Sequence, residues 1–344
     1  MSGPLSNPSQ LLLRNEHELE ADSILVINFE RDGFLPKLRK LNPNARICAF
    51  SYNCADTASV DPKLNIEAVV AATLPSAEYD LVIYFYPKSK PEAEMMFDNI
   101  RALALSHTRV LIVGENKGGV KSAPKQFADF AQEHYKLESA KHCILYEFMG
   151  LKTLNQFALQ NYEKTFQVSV NGKQFSVVSI PGVFNHGALD VGTELLLAEL
   201  AETRMQGEVL DFGCGAGVIS AYLALTNDKL VPTALDVSAL AIYATSRTFE
   251  LNNIKGMALL SDGLSEIKGR YAAIVSNPPF HTGLTTDYSI SERFFSEAKN
   301  HLTQHGQLLI VANSFLKYQP ILAANFKTVA IPRQNTKFTL YFCQ

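Results

Sequence analysis

At residues 276–281 the chain reads Ser-Asn-Pro-Pro-Phe-His, directly after the apolar run Tyr271-Ala272-Ala273-Ile274-Val275. An amide, two prolines and an aromatic ring at the end of a strand suit work on a planar amine. The side-chain carbonyl of Asn277 and the main-chain carbonyl of Pro278 can each accept one hydrogen of an amino group. An amine conjugated to a ring is a poor nucleophile because its lone pair is delocalised. Two acceptors held off the plane favour a more tetrahedral nitrogen and aim that lone pair. Pro279 stiffens the loop, and Phe280 offers a face on which a planar substrate can stack. His281 invites a general-base role, yet an alkylated aryl ammonium also gives up its proton to water or a carbonyl. The plain alternative is a proline-rich turn that only ends a strand.

Upstream stands VLDFGCGAG, residues 209–217, followed by an apolar helix pattern. Gly213, Gly215 and Gly217 let the backbone turn tightly and approach a ligand where a side chain would collide. A dinucleotide fingerprint would need a further glycine at 218, and Val218 stands there. Asp211 precedes the turn, where its carboxylate can meet an ammonium group directly or through a water. Asp236 ends the next strand, 25 residues on (236 minus 211), where an acid accepts both hydroxyls of a ribose. Asp262 and Gly263 lie in a third loop, suited to an adenine amino group and to a backbone N–H beside the ring. Ribose, adenine and an amino-acid ammonium together describe S-adenosylmethionine.

The elements that must hold these loops are those of an α/β protein, in which short β-rich runs alternate with helical patterns. Ser23–Asn28, Ala45–Phe50, Asp80–Tyr84 and Arg109–Val113 form a first set of expected strands. Glu208–Phe212, Val231–Asp236, Ala272–Ser276 and Gln307–Val311 form a second. Between the sets, FQVSVNGKQFSVVS reads as a hairpin turning at Asn171-Gly172, which tolerate positive φ. The chain of 344 residues therefore divides into two expected domains, 1–162 and 163–344. The halves also resemble each other. YDLVIYFYPKSK from Tyr79 aligns with YAAIVSNPPFHT from Tyr271, 192 residues apart, and RVLIVGENKGG from Arg109 with QLLIVANSFLK from Gln307, 198 apart. An old duplication is the expected cause, and the differences between copies are then informative. The first half has a lone Gly33 in INFERDGF, and Phe85 aligns with Asn277. It is expected to carry no methyl-transfer chemistry.

Composition narrows the partners. Residues 1–170 hold 18 Lys and Arg against 20 Asp and Glu, and the rest 13 against 14, so neither half is a basic nucleic-acid glove. Five cysteines without a C-x-x-C pair fit reduced thiols and no structural zinc. No leader pattern and no membrane-length apolar run is visible, so a soluble cytoplasmic protein is expected. Lys88, Lys90, Lys117, Lys121 and Lys125 fall in two loops of the first half where they could grip phosphates, although Glu92, Glu94 and Glu115 nearby also fit an ordinary solvated surface.

VLDFGCGAG, LDVS and SNPPFH resemble the class I S-adenosylmethionine-dependent methyltransferases that modify exocyclic amines. With LLLRNEHEL, YFYPKSKPEA, VGENKGGVKSA and PGVFNHGALDVGTELLL, nearly the whole chain resembles the bacterial small-subunit 16S ribosomal RNA guanine-N2 methyltransferases. That resemblance implies two Rossmann-like methyltransferase domains, the N-terminal one degenerate and serving as RNA-binding or scaffold domain, joined by a hairpin-containing segment. It implies S-adenosylmethionine as cofactor and 16S ribosomal RNA within the 30S subunit as partner, with no metal, membrane or DNA. Carried over, the cofactor loop falls on Asp211, Gly213, Gly215 and Gly217, the ribose acid on Asp236, the adenine loop on Asp262 and Gly263, and the amine motif on Asn277, Pro278, Pro279 and Phe280. Two other readings remain: a protein-glutamine methyltransferase, which the duplicated first domain disfavours, and a non-catalytic ribosome-assembly factor, which the intact Asn277 and glycine loop disfavour.

Overall fold

The computed structural model describes residues 4–184, 186–264, 266–278 and 289–344. Two units emerge from its internal contacts, Met1–Tyr162 and Glu163–Gln344. In the first, seven strands run β1 (Ser23–Ile27), β2 (Arg46–Ser51), β3 (Glu67–Val70), β4 (Leu81–Phe85), β5 (Arg109–Glu115), β6 (Ala131–Ala140) and β7 (Cys143–Leu151). They lie in the order β3-β2-β1-β4-β5-β7-β6. The central members are apolar and buried through their middles, the pattern of a parallel sheet with no wet side, with polar residues only at their ends. Ile24, Leu25, Val26 and Ile27 of β1 are fully buried.

The second unit opens with the hairpin β8 (Lys164–Val170) and β9 (Lys173–Ser179). Asn171 and Gly172 take φ of 50° and 73°, the two positive values that a tight two-residue turn needs to match the strand twist. Val178 and Ser176 of β9 bond Thr248 of helix Ala239–Leu251 and Asn252, which caps that helix, and so fasten the hairpin to this unit. Its sheet follows as β10 (Gly207–Phe212), β11 (Leu230–Asp236), β12 (Met257–Leu260), β13 (Tyr271–Ser276), β14 (Leu302–Asn313), β15 (Val329–Gln334) and β16 (Phe338–Cys343). The order β12-β11-β10-β13-β14-β16-β15 repeats that of the first sheet strand for strand. Leu210, Ile274, Leu308 and Ile310 form its buried centre with Phe295 and Tyr318.

The strands named from sequence are all present, and both sheets add elements that were not named. β3 and β12 are short and partly exposed, and β6 and β15 are exposed along most of their lengths, so these four have no long apolar run, whereas β7 and β16 are buried and apolar and were missed all the same. Among the described residues no helix is long and apolar enough to cross a membrane.

Register explains what the sheet order does for chemistry. In the second unit β10 pairs with β11 on one side and β13 on the other, setting Phe212 opposite both Leu235 and Ser276. The loops after these three strands therefore open at one end of the sheet, where the winding direction reverses and α/β folds bind ligands. In the first unit Ile27 pairs with Phe50 and Tyr84 in the same way. Position for position, Asn28 replaces Gly213, Ser51 replaces Asp236 and Phe85 replaces Asn277. Phe85 is buried and packs edge-on against Phe34 with ring centroids 5.6 Å apart. An apolar pair thus occupies the place where the second unit carries its amide.

Candidate active site

The glycine loop is held from beneath by hydroxyls. Thr245 Oγ1 donates to Gly215 O at 3.1 Å and Thr248 Oγ1 to Ala216 O at 2.9 Å, both from helix Ala239–Leu251. Gly213, Gly215 and Gly217 have φ of 73°, 55° and 77°. At Gly217 a Cβ would also lie 3.0 Å from Thr245, so both backbone conformation and space demand glycine. At Gly215 nothing lies within 4 Å of where a Cβ would point, because that direction is the open cavity.

Asp236 closes the loop on its far side. Its Oδ2 accepts from Gly215 N at 3.0 Å and its Oδ1 from Ser238 N at 2.9 Å. Burial raises its pKa, and the hydrogen bonds from the backbone of Gly215, Ser238 and Val237 counter that rise by favouring the charge.

Asp211 is turned inward, fully buried, with Oδ2 accepting from Ser220 N at 3.0 Å and Ser220 Oγ at 2.7 Å. It thereby ties the end of β10 to the first turn of helix Val218–Thr226. Its Oδ1 is buried with no partner among the described residues. Desolvation pushes this carboxyl up to about 7 from an ordinary value of 3.8, against the opposing effect of the Ser220 bonds. The folded protein then holds the proton more tightly than the unfolded chain, so ionisation of Asp211 opposes folding as pH rises from about 4 through about 7. Asp211→Asn removes that dependence. Its stability relative to wild type should rise, by on the order of 1 kcal/mol, between about pH 5 and about pH 8 in cofactor-free protein. Chemical denaturation at the two pH values checks this, and a constant difference would remove the raised pKa.

Asn277 follows β13, whose last residue, Ser276, donates to Phe212 O at 2.7 Å and so binds the amide loop to the glycine loop. The Asn277 amide nitrogen donates to Asp190 Oδ2 at 2.8 Å and to Thr193 Oγ1 at 3.0 Å. A carboxylate can only accept, so this contact fixes which end of the amide faces Asp190. Among the described residues the carbonyl Oδ1 accepts no hydrogen bond. Asp190 is itself the N-cap of helix Val191–Leu200, accepting from Thr193 N at 3.0 Å.

These groups line one cavity of about 400 Å³, within the range of small-molecule sites. Gly213, Gly215, Asp236, Asn277 and Pro278 contribute from the expected set. Asp190, Thr193 and Asn313 were not expected, nor was the apolar wall of Phe166, Val183, Phe184, Leu189 and Phe338. Asp190 had a visible signal as a helix cap, an Asp just before an apolar helical run with Glu194 in its first turn, but none for its second task on Asn277. Gly217 and Asp211 support the loop without lining the cavity. Asp262 and Gly263 lie outside its wall. The Asp262 carboxylate is half-exposed, 3.9 Å from Arg293, while Ser261 N donates to Asp236 O at 2.9 Å and so joins this loop to Asp236. Pro279, Phe280 and His281 lie outside the described residues.

Comparison with known proteins places this geometry. A family model described as Methyltransferase small domain matches residues 174–342, and one described as Methyltransferase small domain N-terminal matches residues 9–166. Ribosomal RNA small subunit methyltransferase C of Pseudoalteromonas translucida is 55% identical over 337 residues, covering 98% of each chain. The chain belongs to the ribosomal RNA small subunit methyltransferase C family. A second member, from Colwellia psychrerythraea, is 38% identical and covers 99% of this chain and 98% of its own. Among solved structures, the T. thermophilus 16S rRNA N2 G1207 methyltransferase in complex with AdoMet and guanosine has a TM-score of 0.87 at 21% identity, covering 100% of this chain and 93% of that one. This likeness is one of fold, and it extends over both methyltransferase-like units.

Proposed function

We propose that the protein transfers a methyl group from S-adenosylmethionine to the exocyclic N2 amine of a guanine in 16S ribosomal RNA. The observation that carries this reading is the anchored Asn277 amide, whose nitrogen is held by Asp190 and Thr193 so that Oδ1 is free to accept from an amine in the cavity. The chain's relatives named as small-subunit ribosomal RNA methyltransferases, and the structural neighbour named for guanine N2 in 16S rRNA, support the substrate.

The residues fit the cofactor. The glycine loop leaves room beside Gly215 and Asp236 presents a carboxylate for the ribose hydroxyls, while Asp211, buried beneath the loop, holds it through Ser220 and does not itself reach the cavity. Asp262, joined to Asp236 through Ser261, is assigned to the adenine amine. Bound S-adenosylmethionine supplies an electrophilic methyl group on a sulfonium. The protein's part is orientation: Asn277 Oδ1 and the Pro278 carbonyl accept the two amine hydrogens and direct the nitrogen lone pair. Phe280 is assigned to stacking the base once it has left its RNA stack.

The RNA is proposed to be engaged within the 30S subunit. Lys88, Lys90, Lys117, Lys121 and Lys125 are exposed in the segments after β4 and β5, and none makes an ion pair among the described residues. Gln126 ties these segments together, accepting from Tyr86 and donating to Lys90 O at 3.4 Å and to Glu94 at 2.9 Å, which brings the two lysine-bearing segments next to each other. Tritiated methyl transfer to naked 16S RNA, 30S subunits and ribosomal protein tests the reading. Label should enter RNA, most readily in 30S subunits. Label in protein alone would contradict it.

A further inference from the structure

Asp190 does more than hold Asn277. Three donors converge on its Oδ2: Thr193 N at 3.0 Å, Thr193 Oγ1 at 3.5 Å and Asn277 Nδ2 at 2.8 Å. Among the described residues its Oδ1 accepts no hydrogen bond, and Asp190 lines the same cavity as Asn277. Two residues joined by a 2.8 Å hydrogen bond thus line one cavity, Asn277 with the carbonyl that receives the exocyclic amine and Asp190 with a carboxylate that can only accept. Of the four RNA bases, guanine alone has an N–H donor, at N1, next to its exocyclic amine. Adenine and cytosine place a ring-nitrogen lone pair at the corresponding position. A carboxylate there would accept from guanine and would oppose the lone pair of either other amino base, which is selection by attraction and repulsion together.

We propose that Asp190 selects guanine by accepting its N1–H while Asn277 accepts from N2. The proposal rests on the reading of Asn277 as the acceptor for the guanine N2 amine, and it adds the residue that sets which base is taken. A site built around such a bond rejects the analogue that lacks it far more strongly than a pocket that is merely the right size.

The test uses full-length protein and 16S RNA, free or in reconstituted 30S subunits, with guanine or 2-aminopurine at the target nucleotide. 2-Aminopurine keeps the amine and replaces N1–H by a lone pair. Wild type should methylate guanine at least about a hundredfold faster than 2-aminopurine under single turnover. Asp190→Asn, which can turn an amide N–H toward N1, should slow guanine methylation and bring the ratio of the two rates within about tenfold. Thr193→Val removes one partner of the Asn277 amide without touching Asp190 Oδ1, so it should slow both substrates and leave the ratio near the wild-type value. Equilibrium RNA binding with each base, read without turnover, should show the same loss of preference in Asp190→Asn. Equal wild-type rates on both bases, or a ratio unchanged in Asp190→Asn, would overturn the proposal. The wild-type comparison holds even if the substituted protein folds poorly. Failure of wild type to methylate guanine N2 at all would instead contradict the underlying functional reading.

Discussion

Asn277→Ala should lower the single-turnover methylation rate by at least about a hundredfold, as loss of one preorganised polar group at a reacting centre typically does. S-adenosylmethionine affinity should stay within about twofold, because Asn277 faces the amine and not the glycine loop. The amide is rigid for a reason that the structure makes visible: its nitrogen bonds Asp190 and Thr193, and Thr193 is buried. The carbonyl therefore needs no reorganisation when the amine arrives. Alanine leaves Asp190 and Thr193 without the amide but preserves the cap of helix Val191–Leu200, so the fold should survive. Rapid-quench kinetics with saturating cofactor read the rate, and titration calorimetry reads the affinity. A wild-type rate would mean that the Asn-Pro-Pro segment only ends a strand.

The second large effect concerns the cofactor. Asp236→Ala should weaken S-adenosylmethionine binding by about 1.5–3 kcal/mol, the range for hydrogen bonds to a charged group, or roughly tenfold to more than a hundredfold in Kd. Calorimetry on the full chain should give one site per molecule, because the first unit has Ser51 where the second has Asp236, and Asn28 where it has Gly213. Asp236 also accepts from Gly215 and Ser238, so thermal unfolding of the variant should be followed in parallel. Unchanged affinity would remove Asp236 from the ribose, and two equivalent sites would return binding to the first unit.

Much of this site is legible in sequence because its requirements are local. Three glycines at alternate positions answer to backbone conformation, and the structure gives each a positive φ. Asn171-Gly172 announced a tight turn on the same grounds. The alignment of Phe85 with Asn277 exposed the degenerate copy, and register confirms that correspondence through Tyr84 and Ser276. What stayed hidden depends on contacts made only by folding. Asp190 and Asn277 lie 87 residues apart, and nothing in either segment specifies that an N-cap carboxylate will also grip the amide. The inward turn of Asp211 toward Ser220 is likewise a matter of which side of a loop its carboxylate takes. The Phe34–Phe85 pair shows how the first unit fills the place of a reactive amide, whereas sequence showed only that the amide was missing. Strands such as β6 and β15 escaped notice because their exposed residues carry no apolar pattern to read.

The central claim is that Asn277, anchored by Asp190, presents a guanine N2 amine for methylation. The most direct measurement is mass spectrometry of nucleosides from 16S RNA treated with wild-type protein and isotopically methyl-labelled S-adenosylmethionine. The label should appear as N2-methylguanosine, at one position, and disappear from the Asn277→Ala reaction over the same interval. Label on a ring nitrogen, on adenine N6 or on a protein glutamine, with none on guanine N2, would contradict the claim.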